Sequence, residues 1–151
     1  MSCSKEKNTR MPTTNPTKPI AIVGAGAMGS GIAQVAAQAG SSVILLDSQK
    51  EALERSNTAL QKVAARQVAK NRWSLEESEA IQSRIHRTAD FERVAECDLV
   101  IEAIVEDLEA KTDLFHSLEE HVKPSTILAT NTSSLSVTAL AGTLRHPQRC
   151  I

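Results

Sequence analysis

Hydrophobic residues along this chain fall into two alternating patterns. The first is a set of short, nearly continuous apolar runs: Pro19-Ile20-Ala21-Ile22-Val23, Ser42-Val43-Ile44-Leu45-Leu46-Asp47, Asp98-Leu99-Val100-Ile101-Glu102-Ala103-Ile104 and Thr126-Ile127-Leu128-Ala129-Thr130. Runs of this length without polar alternation predict strands buried on both faces, as in a parallel sheet. The second pattern is helical. Ile32, Val35, Ala36 and Ala39 recur within Met28–Ala39, which Gly40 closes. Leu53, Leu60, Val63 and Ala64 mark one side of Gln49–Lys70, and Leu108, Phe115, Leu118 and Val122 mark a helix ended by Pro124. Ser74-Leu75-Glu76-Glu77 reads as a capping box that opens a further helix to about Arg84. Ile85–Thr88 reads as a brief strand.

Strand, helix, strand in regular succession predicts an α/β fold with a doubly wound, mainly parallel sheet and right-handed crossovers. The stretch from Gln49 to Arg84 is longer than a crossover needs, so it is expected to project from the sheet as a helical pair. Residues 1–18 are polar, carry Pro12 and Pro16, and read as a disordered leader; with Arg10 and Glu6 they make a poor transit peptide. Residues 19–151 read as one domain. Because Arg149-Cys150-Ile151 looks like the start of another strand, that domain is expected to be cut before its last strands.

Composition narrows the function more by exclusion than by assignment. Lys and Arg number 17 against 18 Asp and Glu, a balance that offers no attraction to nucleic acid or to an anionic membrane. Trp73, Phe91 and Phe115 are the only aromatic residues apart from histidine, too few for a base-stacking platform. No apolar run approaches the roughly 20 residues of a membrane span. Cys3, Cys97 and Cys150 follow no metal or disulfide spacing, and an odd count without a secretory signal points to the reducing cytoplasm.

Candidate chemistry gathers just after the predicted strands. Gly24-Ala25-Gly26-Ala27-Met28-Gly29 is a G-x-G-x-x-G between the first strand and the first helix. In that setting Gly24 permits the tight turn, Gly26 admits a pyrophosphate against the backbone, and Gly29 lets the helix pack closely. The phosphates would meet free N–H groups at the helix start. Asp47 ends the second strand, where a carboxylate can accept hydrogen bonds from an adenosine ribose and repel a 2′-phosphate, which favours NAD over NADP. An aspartate there could equally cap the next helix. No arginine directly follows Asp47, though Lys50 stands nearby. Glu106 falls just past a strand end, with Lys111 about one turn further on, so the two could pair or could simply form a solvated helix start. Asn131-Thr132-Ser133-Ser134 follows another strand and could position a nicotinamide or a substrate oxygen, or serve as ordinary turn and cap chemistry.

Together, Gly24-Ala-Gly-Ala-Met-Gly-Ser-Gly-Ile-Ala-Gln34, Ile101-Glu-Ala-Ile-Val-Glu-Asp107 and Ile127-Leu-Ala-Thr-Asn-Thr-Ser-Ser-Leu135 resemble the 3-hydroxyacyl-CoA dehydrogenases, of the 3-hydroxybutyryl-CoA or 3-hydroxyadipyl-CoA type. The resemblance implies a Rossmann-type domain and NAD-dependent oxidation of L-3-hydroxyacyl-CoA to 3-ketoacyl-CoA, or the reverse. By it, Asp47 matches the ribose ligand, Glu106 and Lys111 line the cofactor and active-site region, and Ser133 bonds the substrate's 3-oxygen. Lys70 falls where the family has a CoA-contacting lysine. The family's catalytic histidine would come just after Ile151, and His86, His116, His121 and His146 do not occupy its motif. The family's helical C-terminal domain, which supplies most contacts of a homodimer, lies outside this sequence as well. The expectation is therefore a chain that binds NAD with little or no turnover. Two alternatives stand beside it: a dehydrogenase of another hydroxy acid on the same fold, and a non-catalytic dinucleotide-binding module.

Overall fold

The computed structural model describes residues 18–151, so the predicted leader, apart from Lys18, lies outside the described residues. Five parallel strands form one sheet: β1 (Ile20–Val23), β2 (Val43–Leu46), β3 (Ile85–Thr88), β4 (Leu99–Glu102) and β5 (Ile127–Thr130), in the order β3-β2-β1-β4-β5. β3 has the bounds read from the sequence, while β1, β2, β4 and β5 were legible as apolar runs and are each a residue or more shorter than the run, because the turn residues at their ends leave the ladder. Leu128 and Cys150 form a parallel bridge, and the Ile151 N–H donates to the Leu128 carbonyl at 2.9 Å, so the chain's last residues do align beside β5.

Helices α1 (Ala27–Gln38), α2 (Lys50–Ala69) and α3 (Leu75–Ser83) join β1 to β2 to β3, and α4 (Leu108–His121) joins β4 to β5. Side chains alternate across a strand, and here both faces are covered. Ile22, Val43, Leu45 and Ile85 pack with Ala33, Ala37, Leu53, Leu60 and Ile81 of the first three helices. Ala21, Val23, Ile44, Leu46, Val100 and Leu128 pack on the other face with Phe115 and Leu118 of α4 and with Val94. This two-sided burial explains why β1, β2, β4 and β5 read as apolar runs.

Two details differ from the sequence reading. The buried side of α1 consists of Gly29, Ser30, Ala33 and Ala37, whereas Val35 is 66% exposed. Small residues let the helix lie close to the sheet, so Val35 turns outward while Ile32 and Ala36 pack only at the edge of the core. Nor does the helical pair stand clear of the sheet. Trp73, in the connection between α2 and α3, is buried in the same core as Leu60 and Ile81 and draws the pair inward. The Ser74–Glu77 capping box is present as expected.

Three elements had no periodicity to reveal them: the 3-10 turns Phe91–Glu96 and Pro147–Arg149, and α5 (Val137–Ala141), which Ser136 caps. The segment after α5 is tied to α4 through Glu119. Its carboxylate accepts from the Arg145 and His146 N–H groups at 2.8 and 3.1 Å and from Arg149 Nη2 at 2.9 Å. Burial opposes the charge of Glu119, but these hydrogen bonds and Arg149 outweigh it and hold the carboxyl below its ordinary range. A carboxyl lowered by folding stabilises the fold above its unfolded pKa, about 4.3, and that contribution fades as pH falls through the folded value. Glu119→Gln should therefore cost about 2 kcal/mol at pH 7 in urea unfolding, since it strips a buried guanidinium of its anion. The gap from the unaltered chain should narrow below about pH 4; an equal gap at pH 7 and pH 3 would contradict this assignment.

Candidate functional site

Strand order reverses between β1 and β4, so the loops leaving their carboxyl ends splay apart and open a crevice. The Gly24–Gly29 turn leaves β1 into this crevice. Gly24 has φ +109°, and a Cβ there would lie 2.4 Å from the Ala103 carbonyl oxygen. At Gly29 a Cβ would fall 1.8 Å from the Gly24 carbonyl oxygen. Both glycines are thus demanded by the protein's own packing. Gly26 is not, because its backbone is extended (φ −69°) and a Cβ there would meet nothing within 4 Å. The side chains of Ala27 and Met28 are exposed beside it, Met28 at 60%, while Ala25 is buried. No side chain caps the start of α1 and its first turn carries no acid, in contrast with α3, α4 and α5, which Ser74, Asp107 and Ser136 cap.

Asp47 lies just past β2 and is half-buried. Its Oδ2 accepts from the Ala25 N–H at 2.8 Å, and its Oδ1 accepts from the Gln49 N–H at 2.9 Å. It therefore ties the glycine turn to the start of α2, whose N-cap position is Gln49 rather than Asp47. A carboxylate has about four acceptor positions, so two bonds leave room for two more. Beside Asp47 and Gly24 runs a cleft of about 240 Å³, walled by Ala89, Phe91, Ile104 and Leu114.

On the other side of β1 the structure assembles a polar network. Glu102, the last residue of β4, is fully buried. Its Oε1 accepts from Lys111 Nζ at 2.6 Å and from the Ile104 N–H at 2.7 Å, and its Oε2 accepts from Thr130 Oγ1 at 2.6 Å. Lys111 is only 1% exposed and also pairs with Glu106 Oε2 at 3.2 Å. Glu106 Oε1 accepts from Thr132 Oγ1 and, at 2.8 Å, from Ser134 Oγ. The Thr132 and Ser134 hydroxyls, with Lys111, outweigh partial burial and hold the Glu106 carboxyl down at about 2.

The predicted Glu106–Lys111 pair is therefore formed, and the solvated helix start applies to Glu106 alone, because Lys111 is interior. In Asn131–Ser134 the turn reading is seen directly. Thr132 Oγ1 accepts from the Leu135 N–H at 3.0 Å as turn chemistry does, while Thr132 and Ser134 also reach across to Glu106. Asn131 and Ser133 are exposed at the sheet edge. Lys70 is not brought to this cluster. It caps the C-terminus of α2, a 20-residue helix that starts beside Asp47 and so carries Lys70 about 30 Å away. The four histidines are elsewhere: His86 is on β3, and His116, His121 and His146 engage Thr143, Ser117 and Glu119 respectively. The residue that sequence reasoning passed over is Glu102; its signal was a lone acid inside an otherwise apolar strand.

An all-parallel sheet of this order, with a glycine turn entering an uncapped helix and an acid at the end of the second strand, defines a Rossmann-type dinucleotide-binding domain. The open space over Gly26, the free start of α1 and the spare acceptors of Asp47 fit a dinucleotide. The chain belongs to the 3-hydroxyacyl-CoA dehydrogenase NAD binding domain family, whose sequence model matches residues 19–151, and NAD is accordingly its cofactor. It is 45% identical over 130 residues to a probable 3-hydroxybutyryl-CoA dehydrogenase of Deinococcus radiodurans, covering 86% of this chain and 46% of that protein. It is 41% identical to a 3-hydroxyadipyl-CoA dehydrogenase of Escherichia coli, covering 86% of this chain and 27% of that one. A crystal structure of an Escherichia coli 3-hydroxybutyryl-CoA dehydrogenase superposes with a TM-score of 0.86 at 40% identity, over 89% of this chain and 28% of that one. The chain thus spans about half, or less, of the length of these relatives. Among the described residues no helix is long and apolar enough to cross a membrane.

Proposed function

We propose that this chain is the NAD-binding portion of an enzyme that oxidises L-3-hydroxyacyl-CoA to 3-ketoacyl-CoA, or runs the reverse reduction. The observation that carries the reading is the convergence of three loops on one sheet edge: the glycine turn with Asp47, the Glu106 loop, and Asn131–Ser133. Residues Gly24–Gly29 cradle the pyrophosphate against the start of α1, and Asp47 accepts from the adenosine ribose. The cleft walled by Phe91 and Ile104 takes the adenine. Glu106 and Asn131 border the nicotinamide end, and Ser133, exposed and outside the Glu106 network, donates to the substrate's 3-oxygen. Lys111, being interior, serves the site by holding Glu106. Lys70 lies apart from these loops and is assigned to the CoA end of an extended acyl-CoA. NAD, when bound, supplies the hydride acceptor.

Removing the hydroxyl proton needs a base, worth about 10²–10⁴-fold in rate. None of the four histidines stands with these loops, and Glu106 at about pKa 2 is a poor proton acceptor. The chain by itself is therefore expected to bind NAD with little or no turnover. A homodimer for the longer enzyme and a cytoplasmic setting complete the proposal. Calorimetric titration with NADH and NADPH, beside an acetoacetyl-CoA reduction assay, tests the reading. NADH should bind at least tenfold more tightly than NADPH, a difference of about 1.4 kcal/mol, and turnover should be negligible. Equal affinities, or no dinucleotide binding, would refute the assignment of Gly24–Asp47.

A further inference from the structure

We infer that Glu102 is a positioning residue for the dinucleotide site: its buried carboxylate locks the β4–α4 loop to the β5–α5 loop and, through Lys111, fixes where Glu106 stands. The inference rests on the reading of these loops as the NAD site.

Stability alone gives no reason for this group to be here. Taking a carboxylate and an ammonium out of water costs several kcal/mol for each ion, and a well-packed apolar pair of similar volume is often as stable or more so. What the ion pair provides instead is geometry. The three bonds of Glu102 go to three different places at the sheet edge: the Ile104 N–H in the turn after β4, Lys111 Nζ within α4, and Thr130 Oγ1 at the end of β5. Each of these then sets something nearer to a ligand. Ile104 is a wall of the cleft beside Asp47. Thr130 Oγ1 in turn accepts from the Thr132 N–H at 3.3 Å, shaping the start of the loop that carries Ser133.

Lys111 completes the relay. At 1% exposure it has almost no surface to offer a phosphate or a ribose, so its charge is spent inside the protein. It spans from Glu102 in the interior to Glu106, whose side chain is 42% exposed, and Glu106 in turn holds the hydroxyls of Thr132 and Ser134. Ser133 sits between those two residues. One unbroken series of ionic hydrogen bonds thus runs from the buried end of β4 to both sides of Ser133, and Glu102 is its fixed end. Charged hydrogen bonds are short and directional, which an apolar contact of the same volume would not reproduce.

The double substitution Glu102→Leu with Lys111→Met separates positioning from stability, because it removes both charges at once and leaves neither unpaired. Thermal melting and NADH calorimetry would be run on the full chain, with Leu118→Ala as a control that loosens α4 from its core side. The Ile104 N–H and the Thr130 hydroxyl lose their acceptor, so the double variant should melt a few degrees below the unaltered chain, less than Leu118→Ala does, yet bind NADH about tenfold more weakly, as expected for the loss of a charge-assisted hydrogen bond that shapes the site. Leu118→Ala should lower the melting temperature further while leaving NADH affinity within about twofold. If the double variant does not fold, Glu102→Gln decides, since it keeps the shape and discards the charge: weaker NADH binding supports the role, and unchanged binding overturns it. Unchanged affinity in a folded double variant would overturn the role of Glu102 and leave the NAD site standing. Failure of the unaltered chain to bind NADH would overturn both.

Discussion

Gly26→Ala is expected to leave the fold standing and remove most of the affinity for NAD, whereas Gly29→Ala should remove the fold itself. Both glycines belong to one six-residue turn, and the same methyl group is added in each case, so the contrast isolates what surrounds them. At Gly29 the new Cβ would lie 1.8 Å from the Gly24 carbonyl oxygen, a backbone atom that cannot rotate aside. Helix α1 would have to lift from β1, separating Ala33 and Ala37 from the sheet they pack on. We expect a cost of more than about 3 kcal/mol, at the upper end for overpacking because backbone opposes backbone. At Gly26 the new Cβ meets no protein atom within 4 Å and φ is ordinary, so the cost should stay below about 1 kcal/mol, mostly an N-cap preference. On the proposed reading, that empty space is where a pyrophosphate approaches the α1 amides. A methyl group there should weaken NADH binding by about 30-fold or more, some 2 kcal/mol. Urea unfolding and NADH titration of the two variants check both halves. Wild-type affinity in Gly26→Ala would mean that the dinucleotide does not cross this turn.

The same contrast explains why some of the site was legible in the sequence and some was not. The turn could be read because local sterics dictate it: a glycine pair at fixed spacing between an apolar run and a helical pattern leaves few other structures. Four of the strands were legible for a related reason, since a sheet covered on both faces is mostly apolar along its inner strands; the edge strand β3, with His86 and Arg87, is not. Helix α1 was harder, because hydrophobic size is a poor guide where close approach matters. Val35 drew attention yet is exposed, while Gly29, Ala33 and Ala37 make the closest contact and Ile32 only flanks it. Glu102 was hidden by distance along the chain. Its partners Lys111 and Thr130 lie 9 and 28 residues away, and only the register of β4 beside β5 brings Thr130 opposite it. The Glu106–Lys111 pair could be seen from spacing, but not that Lys111 would be interior, because that depends on α4 packing across the end of β4. Short elements such as α5 carry too few residues to establish a period.

Asp47→Ser should weaken NADH binding by about 30-fold while leaving NADPH binding nearly unchanged, so that the preference between the two largely disappears. Two physical effects act together. The carboxylate holds the Ala25 and Gln49 N–H groups at 2.8 and 2.9 Å, so it shapes the glycine turn before any ligand arrives. Its two remaining acceptor positions are what a ribose 2′- and 3′-hydroxyl pair would use. A serine hydroxyl can keep at most part of the first function and little of the second, and each charged hydrogen bond lost is worth about 1.5–3 kcal/mol. For NADPH the balance differs, because its 2′-phosphate gains nothing from a carboxylate and is repelled by it. Removing the negative charge relieves that repulsion and leaves Lys50, exposed at the start of α2, as the nearest cation in sequence. The loss of turn shape and the relief of repulsion therefore oppose each other for NADPH and add nothing favourable for NADH. Paired titrations decide the matter. A parallel fall in both affinities would reduce Asp47 to a brace for the glycine turn, whereas a fall confined to NADH would make it the residue that selects the cofactor.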